Sequence, residues 1–253
     1  MHLKFLQLNM YMGKCTDNLL SYLKKEQFDI LSLQEVSGGD VSFDKTNTFQ
    51  RICELGYDGE ITVTWRFQNK PHSFFGSAVF FKPEFTLLHK DEIWLKPYTE
   101  LKTLEGFDAV QYPKAVIGVI LEKEGKKFAV FSAHLAWSPR AHDTPEKLRQ
   151  AKIFSDFLKT VKHPFILSGD FNASPETKIV SMFDAFGRNL TKEYELENTI
   201  NLRIHRHAGE IEDEGGVVVD YVYVSKEFEI KKFELLEELD LSDHLGLYVE
   251  CEL

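Results

Sequence analysis

The stretch 167-LSGDFNASP-175 decides the fold of this 253-residue chain. Phe165, Ile166 and Leu167 form a short apolar run directly after Pro164, which reads as a buried strand rather than a helix. Gly169 follows, and Asp170 and Asn172 then bracket Phe171. In extended backbone alternate side chains share a face, so the carboxylate and the amide are expected on one side with Phe171 packed on the other. Ser174-Pro175 reads as a helix start, with Ser174 as N-cap and Pro175 at the first helical position. The same Asp/Asn pair could also simply close the strand as a turn. An acid and an amide at the carboxyl end of a buried strand suit chemistry better than packing.

Upstream, the alternation in residues 2–9 reads as a first strand, and Asp17 as the cap of a helix through about Glu26. Strand 29–35 ends on Glu35, which strict alternation puts on the face of Leu31 and Leu33. A polar stretch, 37–47, leads to a helix near 47–55. Strands are expected at 60–66, 75–82, 85–93, 115–122 and 127–134, the last ending on His134. After a loop at 138–145, a helix from about Glu146 to Val161 carries Leu148, Ala151, Ile153, Phe154, Phe157 and Leu158. Beyond the opening stretch come a helix near 175–185, strands near 197–203, 217–224, 228–235 and 246–252, and a polar loop at 205–216. No repeat, low-complexity tract or Gly/Ser linker interrupts the sequence, so residues 1–253 are read as one domain. Strands predominate, and the spacing predicts an α+β fold with helices covering sheet faces rather than a doubly wound array.

Composition agrees. Hydrophobic residues make up 43% of the chain, with 21 Phe, and a chain of this size buries about three quarters of its unfolded surface. No apolar run approaches the ~18 residues that span a membrane, and the N-terminus is too polar for a signal peptide. Cys15, Cys53 and Cys251 lack metal-like spacing and read as reduced thiols of a cytoplasmic protein. A net charge of −10 disfavours sequence-independent coating of nucleic acid, without excluding a local basic cleft.

Polar residues recur where strands end: Asn9, Glu35, His134, Asp170 with Asn172, Asp220, and Asp243 with His244. The ordered motifs QLN (7–9), LQEV (33–36), SAHL (132–135), GDFN (169–172), VDYV (219–222) and SDHL (242–245) resemble the endonuclease/exonuclease/phosphatase superfamily, the Mg²⁺-dependent DNase I-like group, over residues 3–252. The resemblance implies a four-layer α/β/β/α sandwich, two packed and mainly antiparallel sheets flanked by helices. It also implies a hydrolase of phosphate esters using in-line attack by water. A phosphodiesterase is the first reading; a DNA or RNA nuclease and a monoesterase on a small sugar or lipid phosphate are the alternatives. A catalytically silent module would have lost Glu35, Asp170, Asp220 or His244, and all four are present. The implied cofactor is Mg²⁺, with Mn²⁺ as a substitute, held by Glu35 with Asn9 beside it and with Asp243 as a ligand or a neighbour of one. By the same resemblance Asp220 fixes the tautomer of His244. His244 is a general base or a phosphate contact, Asp170 is the rival base, Asn172 donates its amide to a non-bridging oxygen, and His134 bonds the phosphate or helps protonate the leaving group.

Two departures from the family pattern matter. Residues 110–115 read VQYPKA where many relatives carry an Arg, which leaves Lys114 as a point-charge phosphate contact with Tyr112 beside it. The HRH at 205–207, together with Arg203, either lines the leaving-group side or is a solvated loop. AP-endonuclease relatives usually continue the metal Glu with Thr-Lys, but here Val36-Ser37 follow Glu35. Inositol-polyphosphate 5-phosphatases carry an Arg after GD-x-N and a Cys-Asp-Arg later, but here those places read Ala173 and Val219-Asp220-Tyr221. The wording is more similar to the mixed bacterial group that also holds relatives of sphingomyelinases, deadenylases and tyrosyl-DNA phosphodiesterases. Segments 37–47, 95–113 and 203–216 are expected to carry specificity, with Trp94, Tyr98, Phe107 and Tyr112 offering aromatic surface to a base or sugar, or packing the rim. A phosphate-ester substrate, with nucleic acid among the candidates, is the expected partner.

Overall fold

The computed structural model describes residues 1–101, 112–213, 215–237 and 239–253. Its strands are β1 (His2–Asn9), β2 (Ile30–Gly38), β3 (Asp58–Phe67), β4 (Lys70–Phe81), β5 (Thr86–Lys96), β6 (Thr99–Leu101), β7 (Lys114–Lys123), β8 (Lys126–His134), β9 (Phe165–Asp170), β10 (Arg188–Asn189), β11 (Asp220–Val224), β12 (Glu229–Leu236) and β13 (Gly246–Glu252). The helices are α1 (Thr16–Glu26), α2 (Thr48–Cys53), α3 (Pro145–Leu158), α4 (Lys178–Asp184), α5 (Leu190–Glu193) and α6 (Ala208–Asp213).

The strands form a seven-stranded sheet, β12-β13-β1-β2-β4-β3-β6, and a six-stranded sheet, β10-β11-β9-β8-β7-β5. The sheets face one another through Leu3, Phe5 and Val249 of the first and Val119, Val130 and Val222 of the second. The outer face of the first sheet packs Leu6, Leu8 and Leu31 on Leu19 and Leu23 of α1. The outer face of the second packs Phe131, Leu167 and Tyr223 on Phe154 of α3 and Phe183 of α4. Each such side chain, fully buried, contributes about 1.5–3 kcal/mol. Four layers result, as in the DNase I-like α/β sandwich.

Each sheet has a parallel pair near its centre, β1 with β2 and β8 with β9. Parallel neighbours need a crossover, which α1 and α3 supply. Their carboxyl ends therefore emerge side by side: Asn9 pairs with Gln34, and His134 with Asp170. Asp220, the first residue of β11, lies opposite Asp170 on its other side. The functional residues thus gather on one rim, where α/β sheets with parallel strands present their ligand sites.

Several local expectations are corrected. The strand through Glu35 continues to Gly38 across a bulge between Leu33 and Val36, where Glu35 takes φ +56°; the bulge breaks the alternation and re-aims its side chain. Helix α1 starts at Thr16, so Asp17 is a first-turn residue rather than the cap, and its carboxylate pairs with Arg51 at 2.5 Å. Ser174 and Pro175 belong to a turn, and Thr177 caps α4 by accepting a bond from Val180 N. The strand expected at 197–203 is reduced to a single bridge between Ile200 and His244, because Asn198 and Asn201 side chains capture the local backbone N–H groups of Ile200 and Arg203. The polar loop at 205–216 contains α6. Phe107 lies outside the described residues.

Candidate active site

A cavity of about 470 Å³ opens at the rim. Its floor begins with the opening stretch. Gly169 takes φ +150°, and a Cβ there would lie 1.9 Å from Ala133 O, so only glycine lets β9 approach β8 this closely. Asp170 Oδ1 accepts the backbone N–H of Asn172 at 2.8 Å, and Asn172 takes φ +49°. Both readings of the stretch therefore hold: an Asx turn closes the strand, and it leaves Asp170 and Asn172 on the cavity wall while Phe171 is fully buried.

Asp170 Oδ2 accepts from Asn9 Nδ2 at 3.0 Å and lies 3.6 Å from His134 Nε2 and 4.0 Å from His244 Nε2. Asn9 is itself oriented by Tyr11 N, which donates to its Oδ1 at 3.0 Å. The other imidazole nitrogen of His244, Nδ1, sits 2.8 Å from Asp220 Oδ2. Asp220 is fully buried and is held from behind by Gln7 Nε2 at 3.0 Å. It touches His244 and does not line the cavity. Burial opposes a charge on His244, but Asp220, its hydrogen bond, Asp170 and Asp243 together raise the imidazolium pKa well above its ordinary value. His134 goes the other way: burial and then the Lys114 charge push its pKa down to about 3, so it is a neutral imidazole.

Glu35, Asp243 and Lys114 also line the cavity. Burial, followed by the nearby Asp243 charge, pushes the Glu35 carboxyl up to about 7. Burial likewise raises Asp243 and pulls the Lys114 ammonium down to about 8 against the attraction of Asp170 and Glu35. Aromatic side chains form one wall: Trp65 stacks on Phe75 at 4.7 Å and on Tyr112 at 5.7 Å. Trp137, 47% exposed, stands at the opening.

The profile of the Endonuclease/Exonuclease/phosphatase family matches residues 6–244. The chain belongs to this family. Members are phosphoesterases and nucleases, and they generally use divalent metal ions. The structure is similar to an endonuclease/exonuclease/phosphatase from Bacteroides vulgatus, at 17% identity over 100% of this chain and 99% of that chain, with a TM-score of 0.75. A mannosyl-6-phosphatase of Bacteroides thetaiotaomicron is similar at 18% identity over 99% of this chain and 100% of that one, with a TM-score of 0.71. The human Nocturnin catalytic domain with bound sulfate is similar at 23% identity over 99% of this chain and 94% of that one, with a TM-score of 0.70. At such identities the likeness concerns the fold. No curated protein sequence matches the chain. Among the described residues no helix is long and apolar enough to cross a membrane.

The residues fit a family-type metal of modest demands. Among the described residues no three His, Cys, Asp or Glu side chains close around one point as a cage, but Mg²⁺ needs only one or two carboxylates and keeps its waters. Glu35 has no hydrogen-bond donor among the described residues, and it shares the cavity with Asp243 and the Asn9 amide oxygen. This oxygen-only, anion-rich donor set suits a hard cation.

The structure thus brings Asn9, Glu35, Tyr112, Lys114, His134, Asp170, Asn172, Asp243 and His244 to one cavity, with Asp220 behind. It does not bring Arg203. That guanidinium is exposed and turned away, bonded to Asp240 Oδ1 at 2.9 Å and to Glu237 O at 2.6 Å. His205 and Arg206 line the wall instead. The Asn172 side-chain amide donates to Leu135 O at 3.2 Å, leaving one N–H for the cavity. Sequence reasoning missed Tyr11, Met12, Trp65, Phe75 and Trp137, which carry no motif and line the cavity from separate segments. It also passed over Lys147, which is fully buried beneath Asn172.

Proposed function

We propose that the chain is a Mg²⁺-dependent phosphodiesterase that cleaves a P–O bond by in-line attack of water, with Glu35, Asn9 and Asp243 holding the ion. The observation that carries the reading is the Asp220–His244 pair, 2.8 Å apart, aimed across Asp170 into a cavity that Glu35 also lines. When bound, the divalent ion neutralises phosphoryl oxygen charge as the transition state forms. Asp170, fixed by Asn172 N and Asn9 Nδ2, orients the attacking water and takes its proton. His244, held in one tautomer by Asp220, presents Nε2 to a non-bridging oxygen. Lys114 and the remaining Asn172 N–H add positive charge and a donor, and neutral His134 accepts or donates a hydrogen bond without carrying charge. A reducing, cytoplasmic setting fits the unpaired thiols of Cys15, Cys53 and Cys251.

A monoesterase acting on a small phosphate is the second reading, favoured by the modest cavity volume of about 470 Å³. The test is hydrolysis of bis-p-nitrophenyl phosphate against p-nitrophenyl phosphate, with Mg²⁺, with Mn²⁺ and with chelator, in the wild type and in Asp170→Asn and His244→Ala. Chelator-sensitive cleavage of the diester, lost in both variants, is the expected result. Preference for the monoester would establish the second reading. Turnover that survives chelator, or that survives in Asp170→Asn, would sink both.

A further inference from the structure

The wall opposite the aromatic one carries an arginine that the proposed chemistry leaves unused. All seven arginines of the sequence fall among the described residues. Arg51 pairs with Asp17 and Asp44, Arg149 with Glu146, Arg188 with Glu193 and Arg203 with Asp240. Arg66 lies over the Phe74 ring, and Arg140 is likewise engaged. Among the described residues Arg206 alone has no ion pair, hydrogen bond or ring contact, in a chain with 40 acidic and 30 basic residues. It lines the cavity.

The segment that presents Arg206 is built onto the catalytic rim. Asn201 N donates to Asp243 O at 2.9 Å, and Ile200 bridges His244. Ile204 N and His205 N both donate to Asn201 O, at 3.0 and 2.9 Å. His205 is half-buried, with its ring 6.5 Å from that of His244 and its Nε2 4.0 Å from Asp243 Oδ2. Its Nδ1 accepts His207 N at 3.1 Å, which leaves Nε2 as the ring nitrogen that faces Asp243. Arg206 thus lines the cavity on the segment that also carries His205, whose ring lies near that of His244. Sheet order places them across the site from Phe75 and Trp65, because Glu35 on β2 and Asn9 on β1 lie between β13 and the β4–β3 edge.

We propose that Arg206 forms a second anion subsite, so that the preferred substrate is a small phosphate ester bearing another phosphate or carboxylate. This rests on the phosphoesterase reading for the position of the first phosphate. A guanidinium with its donors unspent is the group best suited to grip a carboxylate or phosphate bidentately, and such a contact is worth about ten-fold or more in affinity.

The experiment is calorimetric binding, in constant excess Mg²⁺, of ω-phosphonocarboxylates of two to four carbons against alkylphosphonates of the same length. The wild type should bind the best dianionic probe about ten-fold more tightly than its one-anion match. In Arg206→Gln that gain should collapse while alkylphosphonate affinity holds. Arg203→Gln, which removes the same charge outside the cavity, should keep the gain. No gain in the wild type, or a gain that survives Arg206→Gln, would overturn the subsite. Turnover of bis-p-nitrophenyl phosphate, read in the same preparations, bears on the phosphoesterase reading alone, because binding is measured without it.

Discussion

Lys147→Met should leave stability near neutral pH almost unchanged, weaken catalysis, and open a stability gap only in alkali. Lys147 is fully buried, and its ammonium donates to Ser138 Oγ at 2.8 Å, His142 O at 2.6 Å and Asn172 O at 2.5 Å. Burial pulls its pKa from 10.5 to about 8, against the opposing charges of Asp170 and Asp143. Keeping it charged in the folded protein therefore costs about 3 kcal/mol at pH 7. Methionine has similar length and no charge, so the substitution removes that cost. It also removes three donor contacts, but His142 O keeps Ser138 Oγ at 3.0 Å, so the one carbonyl left orphaned is Asn172 O, at about 1–3 kcal/mol. The two effects nearly cancel. Above pH 8 the balance changes. Between about pH 8 and 10.5 the unfolded wild type still holds a proton that the folded state has released, so unfolding becomes harder by about 1.4 kcal/mol per pH unit. The variant lacks this gain. Urea denaturation of both proteins from pH 7 to 10 should show a gap widening by about 2–3 kcal/mol in favour of the wild type. A gap constant across that range would refute the buried ammonium. At pH 7, with stability intact, hydrolysis should fall by about ten-fold or more, because Asn172 loses the tether of the turn that fixes Asp170; undiminished turnover would refute the positioning role.

Gly169→Ala should cost more than about 3 kcal/mol in urea denaturation or prevent folding, since its Cβ would sit 1.9 Å from Ala133 O at φ +150° and force β8 and β9 apart. Arg203→Ala should cost less than about 1 kcal/mol and leave turnover unchanged, because its pair with Asp240 is exposed and outside the cavity. Glu35→Gln should abolish Mn²⁺ binding measured by calorimetry while the thermal transition stays within a few degrees, because no hydrogen bond among the described residues depends on the carboxylate and the amide retains its volume.

The layered fold was legible because its central strands are largely buried and read as apolar runs; β7, β8 and β9 each begin within a residue of expectation. The rim residues were legible because they interrupt such runs at their ends. What escaped depends on partners distant in sequence. Nothing local to Glu35 announces a bulge, which exists only relative to β4, where Leu33 faces Ala78 and Val36 faces Gly76. Arg203 and Arg206 are indistinguishable in a loop without periodicity. Asp240, thirty-seven residues further on, captures the first and leaves the second to the cavity. Lys147 sits near the start of an amphipathic helix where a solvated lysine is the usual reading, and only the turn of Asn172 folding over it puts it inside.

The position of the site follows from a feature one pleat beneath it. Two residues before Asn9, His134 and Asp170, and before Gln34 beside Asn9, stands another polar residue on the same face: Gln7, Ser132, Ser168 and Ser32. These bond across the gap between the sheets. Gln34 Nε2 reaches Ser132 Oγ at 2.9 Å, Ser168 Oγ reaches Ser32 Oγ at 2.7 Å, and Gln7 Nε2 reaches Asp220 Oδ1 at 3.0 Å. An apolar layer would hold the sheets together at least as strongly, since buried polar groups gain little net stability even when paired, and Gln7 Oε1 has no hydrogen-bond partner among the described residues. What polar pairs add is direction. A one-residue slip of any central strand would carry Leu8, Leu33, Ala133 or Gly169 into the seam and strand the facing donors. The apolar core lets the sheets pack, whereas the seam fixes the register in which Asn9 and Glu35 of one sheet meet Asp170 and His134 of the other.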